Sequence, residues 1–143
     1  MTEFHAVRPG RPSDRPFILE SWQSSQSLTT LGREMGPKYI SEMKELVNNI
    51  LSRPSTEVRV AVVPDDDDAI LGYAVVGHLQ TLLPRVYFTY VKAEARRLGV
   101  AGSLLQDLKG RQVIYTHKPA RTLAAVLPKP ENWVFSYFRN WEL

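Results

Sequence analysis

Residues 58–91 carry three β-rich runs in close succession, and a chain built this way has to form a sheet. Val58–Val63 (VRVAVV) is β-branched and extended. Pro64 and the four aspartates Asp65–Asp68 make a reversal whose charge keeps it in water, so Ala69–Gly77 (AILGYAVVG) reads as the return strand of a hairpin. Arg85–Val91 (RVYFTYV) is a further strand. Just ahead of the hairpin lies the clearest helical period in the chain. Tyr39, Ile40, Met43, Leu46, Val47, Ile50 and Leu51 fall on one face of an amphipathic helix over 38–52, which Pro54 stops.

The flanks add to this frame. Phe4–Arg8 (FHAVR) alternates and ends at Pro9-Gly10, a first strand closed by a turn. A helix should follow, with Ser13 as N-cap, Asp14 at the positive end of its dipole, Pro16 in the first turn and an apolar stripe of Phe17, Ile18 and Trp22. The Ser/Thr-rich segment Ser24–Thr30 ends it. Gly99 opens a third helix with Val100, Ala101, Leu104, Leu105 and Leu108 on one side, closing near Lys109-Gly110. Gln112–Thr116 is a fifth strand and the aromatic run Trp133–Trp141 another, while Arg121–Leu127 fits a strand or a short helix. The order predicts an α/β (α+β) domain over residues 1–143, with a mixed, largely antiparallel sheet flanked by helices.

Composition narrows the function. With 143 residues, 43% of them hydrophobic, the chain holds one packed core. The absence of cysteine excludes disulfides, thiolate metal sites and a cysteine nucleophile, and fits a reducing cytoplasm. No apolar stretch approaches the roughly 18–20 residues that cross a bilayer, and residues 1–20 lack the apolar centre of a signal peptide, so a soluble cytoplasmic protein without a membrane partner is expected. The histidines His5, His78 and His117 show no metal-ligand spacing, the aspartate run lacks the alternation of a calcium loop, and no serine-hydrolase elbow is present. Charge is uneven: residues 1–71 hold 8 Lys/Arg against 11 Asp/Glu, and residues 72–143 hold 10 against 4. An anionic ligand prefers the second half.

The informative stretch is Tyr87–Leu105, YFTYVKAEARRLGVAGSLL. A strand passes through a short polar loop into the start of a helix bearing Gly99 and Gly102. Backbone N–H groups at such a junction precede the helical ladder and point at one place, a site for an anion and most naturally a phosphate. Gly99 lets the backbone approach the ligand, and the small Ala101 and Gly102 leave the first turn uncovered.

Arg96-Arg97-Leu98-Gly99-Val100-Ala101 resembles the pyrophosphate-binding signature of the GNAT superfamily of N-acetyltransferases: Gln or Arg, two free positions, Gly, one free position, then Gly or Ala. The resemblance extends over most of the chain, through the first strand, two helices, a hairpin holding Leu71-Gly72-Tyr73, the signature strand and its helix. It implies acetyl-coenzyme A as cosubstrate, held by the backbone of Arg97–Gly102 at its pyrophosphate and by the main chain of Tyr90 and Val91 along its pantetheine arm. Arg96 and Arg97 are expected to face the phosphates and are otherwise a solvated surface pair, and the resemblance implies that the Val91 N–H polarises the thioester carbonyl. Ser21-Trp22, Tyr90-Val91-Lys92 and the aromatic tail also resemble small acetyltransferase-like proteins carried by bacteriophages.

This sequence departs from the family in two places. Only His117–Leu127 separates Thr116 from Pro128, where relatives have a longer helix with an acid tyrosine, and residues 85–91 contain no carboxylate to act as base. By elimination His117 is the leading base, with Tyr115 or Tyr137 the acid; each is otherwise a capping or packed residue. Trp133, Phe135, Tyr137 and Trp141 belong to the core, an acceptor pocket or a homodimer contact. The reading is an acyl-coenzyme A-dependent N-acyltransferase with a small-molecule or protein amine as acceptor and no metal. A non-catalytic binding protein on the same fold, or an enzyme modifying nucleic-acid bases, are the alternatives.

Overall fold

A computed structural model describes residues 5–27, 30–96, 98–117, 133–136 and 140. Its centre is a six-stranded sheet in sequence order: β1 (Ala6–Pro9), β2 (Thr56–Val63), β3 (Asp66–Gly77), β4 (Arg85–Val91), β5 (Val113–Tyr115) and β6 (Trp133–Phe135). The β1–β2, β2–β3 and β3–β4 pairings are antiparallel, and β4–β5 and β5–β6 are parallel. The expected hairpin is present, with Pro64 and Asp65 as its two-residue turn. Asp65 takes a left-handed φ of 66°, which an aspartate tolerates better than most side chains.

Two helices cover one face of the sheet. A 3-10 turn, Pro12–Asp14, leads into α1 (Arg15–Ser27). The expected Ser13 cap is replaced by Asp14: its buried carboxylate accepts the Arg11 N–H at 2.7 Å and a two-pronged pair from Arg8 at 2.8 and 2.9 Å. α2 (Thr30–Leu51) starts earlier than expected because it is two helical segments merged across Gly36 (φ 62°, ψ −146°), with Pro37 supplying the first residue of the second. Its stripe is as the period requires: Tyr39, Met43, Val47 and Ile50 are buried against Trp22 and Ile18 of α1 and Val60, Tyr73, Val75, Tyr87 and Phe88 of the sheet.

The opposite face packs under α3 (Val100–Leu104), where Val100, Leu104, Leu105 and Leu108 meet Ala74, Val76, Val86 and Val91. The buried positions match the expected stripe, but the helix stops after five residues and continues as a 3-10 turn, Gln106–Leu108. Arg59 of β2 gives the reason. Its guanidinium binds the Leu104 carbonyl at 2.9 Å and both oxygens of Asp107, at 2.6 and 2.7 Å. The Leu104 carbonyl thus has a side-chain partner at the helix end, and the Leu108 N–H turns to Leu105 at 3.0 Å. No described helix is long and apolar enough to cross a membrane. Arg121–Leu127 and the end of the aromatic run, including Tyr137 and Trp141, lie outside the described residues.

Candidate functional site

Strand β4 sits between two neighbours that run in opposite senses, and it stays with β5 only briefly. Their register has two pairs, Arg85↔Ile114 and Val86↔Tyr115, and the Thr116 N–H still reaches the Val86 carbonyl at 3.1 Å. On its other side β4 follows β3 to the end, Gly72↔Val91. That register skips a residue, passing from Val75↔Phe88 to Val76↔Val86. Tyr87 is therefore a β-bulge, one residue of β4 with no opposite number on β3. The bulge brings the Tyr87 and Phe88 rings into the same apolar cluster, under α1 and α2. Gly77 makes room for it: a Cβ there would stand 2.7 Å from the Tyr87 ring.

Beyond the bulge, β4 presents an edge to the gap left by β5. The Lys92 N–H binds Leu71 of β3 at 2.8 Å. Backbone groups alternate along a strand, so those of Tyr90 also turn to β3, while those of Thr89 and Val91 face the gap. Of the two residues expected to present main chain to a ligand, Val91 turns its backbone groups to the gap and Tyr90 turns them to β3. Thr89, which the sequence did not single out, shares the side of Val91; its Oγ1 is buried and has no hydrogen-bond partner among the described residues. Tyr90 contributes its ring instead, half-buried, stacked on Tyr73 at 5.7 Å and edge-on to Phe17 at 5.9 Å. Lys92 Nζ lies 5.3 Å from the centre of the Phe17 ring.

The loop after β4 turns through a 3-10 segment, Ala93–Ala95, into α3. The Arg96 side chain folds back, its Nε donating to the Val91 carbonyl at 3.1 Å, which ties the loop to the strand edge. Gly99 caps α3 in the left-handed region (φ 80°), a conformation that glycine adopts without strain. A Cβ at Gly99 or Gly102 would meet nothing within 4 Å, so this surface is open. The first α-helical bond runs from the Ser103 N–H to the Gly99 carbonyl at 3.0 Å, leaving the N–H groups of Val100, Ala101 and Gly102 ahead of the ladder. Because α3 has five residues, those local N–H groups carry any attraction for an anion; the dipole expected from a longer helix is largely missing. Val100 is buried, Ala101 half-buried and Leu98 exposed, while Arg97 lies outside the described residues.

His117 lies beside the bulge rather than at the surface. It is 5% exposed, its ring edge-on to Trp22 at 5.2 Å, and Trp22 in turn stacks on Phe88 at 5.0 Å. Its Nδ1 is 3.0 Å from the Tyr87 carbonyl and 3.1 Å from Thr116 Oγ1. A carbonyl only accepts, so Nδ1 carries the hydrogen. Burial pushes the imidazole pKa down to about 4, against a smaller upward pull from the Tyr87 bond. The expected role of neutral-pH base thus meets a ring that holds no second proton at pH 7 and binds one weakly. Tyr115 is not brought to it: its half-buried ring packs on Phe135 at 5.4 Å, with the cluster on the α3 side. Among the described residues no group of three or more His, Asp or Glu is placed to hold a metal ion.

No protein-family model matches the chain, and no curated protein matches it. Solved structures do. A Staphylococcus aureus protein assigned to the GNAT family of acetyltransferases superposes with a TM-score of 0.54 at 13% identity, over 78% of this chain and 98% of its own. The PaiA N-acetyltransferase of Thermoplasma acidophilum, solved in complex with coenzyme A, gives 0.52 at 18% identity, over 76% of this chain and 70% of its own. A GNAT-family protein from Desulfovibrio desulfuricans gives 0.49 at 21% identity, and this chain spans 62% of its length. The superpositions on the Staphylococcus and Thermoplasma structures show the fold: a mixed six-stranded sheet with helices on both faces, the fold of the GNAT acetyltransferases.

Proposed function

We propose that this protein is an acyl-coenzyme A-dependent N-acyltransferase, acetyl being the natural acyl group, and that the gap between β4 and β5 receives the thioester arm. The observation that carries the reading is the edge of β4 itself. Thr89 and Val91 turn their backbone groups into the gap, and the same strand runs on into a loop whose Gly99 and Gly102 face open space. The likeness in fold to a protein solved with coenzyme A supports it.

In this reading the N–H groups of Val100–Gly102 and the side chains of Arg96 and Arg97 take the pyrophosphate, and Leu98 lies at the rim. The Val91 N–H polarises the thioester carbonyl. The acceptor amine attacks that carbon, the C–S bond breaks, and the thiolate leaves with a proton. An alkylammonium acceptor with a pKa near 10.4 must first lose its proton. With the buried His117 a poor base at neutral pH, a water chain to solvent is the favoured route, and Tyr115 and Tyr137 remain the candidate acids. The acceptor is an amine of a small molecule or a protein.

Calorimetry with coenzyme A tests the site. Gly99→Glu brings a carboxylate and a side chain to the open surface and should weaken binding at least tenfold with the fold retained; equal affinity for variant and wild type would remove the loop from the site. A second reading, a coenzyme A-binding protein without catalysis, is favoured by the absence of a carboxylate on β4 and by the buried His117. Thiol release from acetyl-coenzyme A across a panel of polyamines, peptides and aminoglycosides separates the two.

A further inference from the structure

We infer that His117 is a positioning residue: its imidazole holds the bulge at which β4 leaves β5, and so sets the width of the gap. In the parallel ladder the Thr116 N–H bonds the Val86 carbonyl at 3.1 Å. The bulge then turns the next carbonyl, that of Tyr87, toward β5 as well, beside the one already used. The next residue of the chain answers it with its side chain: His117 Nδ1–H donates to the Tyr87 oxygen at 3.0 Å. Had a main-chain N–H taken this place, β5 would have stayed alongside β4. The ring satisfies the buried carbonyl just past the last β4–β5 pair, and among the described residues the edge at Thr89–Val91 has no pairing with β5.

The ring's orientation is itself fixed. Trp22 meets it edge-on at 85°, and the same indole lies flat on Phe88, 7° from parallel, one residue past the bulge. Helix α1, strand β4 and the end of β5 are joined through these three rings. The Nδ1 side of His117 is thus engaged in holding backbone, and burial keeps the ring neutral. The acyltransferase reading supplies the functional consequence, but the geometric claim concerns the unliganded chain and is testable without it.

Two variants separate the roles. His117→Phe keeps a ring of similar volume against Trp22 and lacks the donor; His117→Gln offers an amide N–H in its place. Circular dichroism and urea melts establish that each is folded. In the unliganded protein, amide hydrogen exchange over Tyr87–Val91 should quicken at least tenfold in His117→Phe and return to within about threefold of wild type in His117→Gln. Unchanged exchange in His117→Phe would overturn the inference, whether or not the protein binds coenzyme A. If it does turn over, KM for acetyl-coenzyme A should rise about tenfold in His117→Phe with the acceptor KM unchanged, and His117→Gln should restore it. A loss of kcat in both variants with normal coenzyme affinity, accompanied by loss of the acidic limb of the pH profile, would instead make His117 the base. If wild type fails to bind coenzyme A, the acyltransferase reading falls while the exchange result still decides the role of His117.

Discussion

The buried imidazole of His117 makes the stability of this fold depend on pH in a way that can be worked out in advance. In the unfolded chain a histidine titrates near 6.5; in the fold burial lowers this to about 4. Between those values the unfolded state binds a proton that the native state refuses, so stability falls as the solution is acidified from about pH 7, and levels off below about pH 4. The whole separation corresponds to about 3 kcal/mol, and about 2.5 kcal/mol of it has been lost by pH 4.5. Asp14 and Asp107, whose carboxyls are held below their usual range first by bonds to Arg8 and Arg59, also favour the fold above their unfolded pKa and weaken it in acid. They are common to wild type and His117→Gln, so the difference between the two proteins isolates the imidazole. Urea unfolding at pH 7.5 and 4.5 is the assay. With m near 2 kcal/mol/M, the wild-type midpoint should drop by about 1.2 M more than that of His117→Gln over this interval. Parallel profiles, or an imidazole proton resonance titrating near 6.5, would show that the ring is solvated and refute the reasoning.

Two further expectations concern the other end of the sheet. Asp65→Gly relieves a left-handed residue at the hairpin turn and one of four adjacent like charges, and should raise stability by about 0.5 kcal/mol in thermal melts; a loss would mean that the aspartate side chain holds the turn. Asp14→Asn removes the charged partner of the largely buried Arg8 guanidinium, which keeps its bonds to the Asp67 and Pro9 carbonyls, and should cost about 2 kcal/mol in the same assay, while no measurable cost would mean that those carbonyls and water suffice.

The sheet was legible because its strands carry their own evidence: β-branched runs at Val58–Val63 and Ala69–Gly77, a reversal between them, and Arg85–Val91 with matching bounds; the reversal, expected over Pro64–Asp68, is tighter, since Asp66–Asp68 already belong to β3. The stripe from Tyr39 to Ile50 was legible for the same reason, since one residue in three or four had to face the sheet. Features set by contacts distant in sequence were not. Nothing near Leu104 announces that Arg59, far back on β2, will take its carbonyl and stop the helix. The bulge at Tyr87 is equally silent, because RVYFTYV reads as an unbroken strand until its register against Val75 and Val76 is known. That one extra residue decides which backbone groups face the gap, a detail that the family resemblance, the source of the expectation for the Tyr90 and Val91 main chain, does not carry. His117 was singled out for a chemical role that burial disfavours; in a sequence, a histidine at a strand end looks the same whether it meets solvent or a carbonyl.

The topology also dictates an order of assembly. Strands β2, β3 and β4 are joined by a two-residue turn and a short loop, so their pairing closes small loops and pays little chain entropy. β1 must wait for two intervening helices, and β5 can reach β4 only after the segment bearing α3 has folded back across the sheet. The central meander is therefore expected to form first, and the seam between β4 and β5, with two register pairs, is the lightest in the sheet among the described residues. The gap proposed for the thioester arm exists only once that seam has closed, and a molecule that binds across it would act as the clasp of the finished chain.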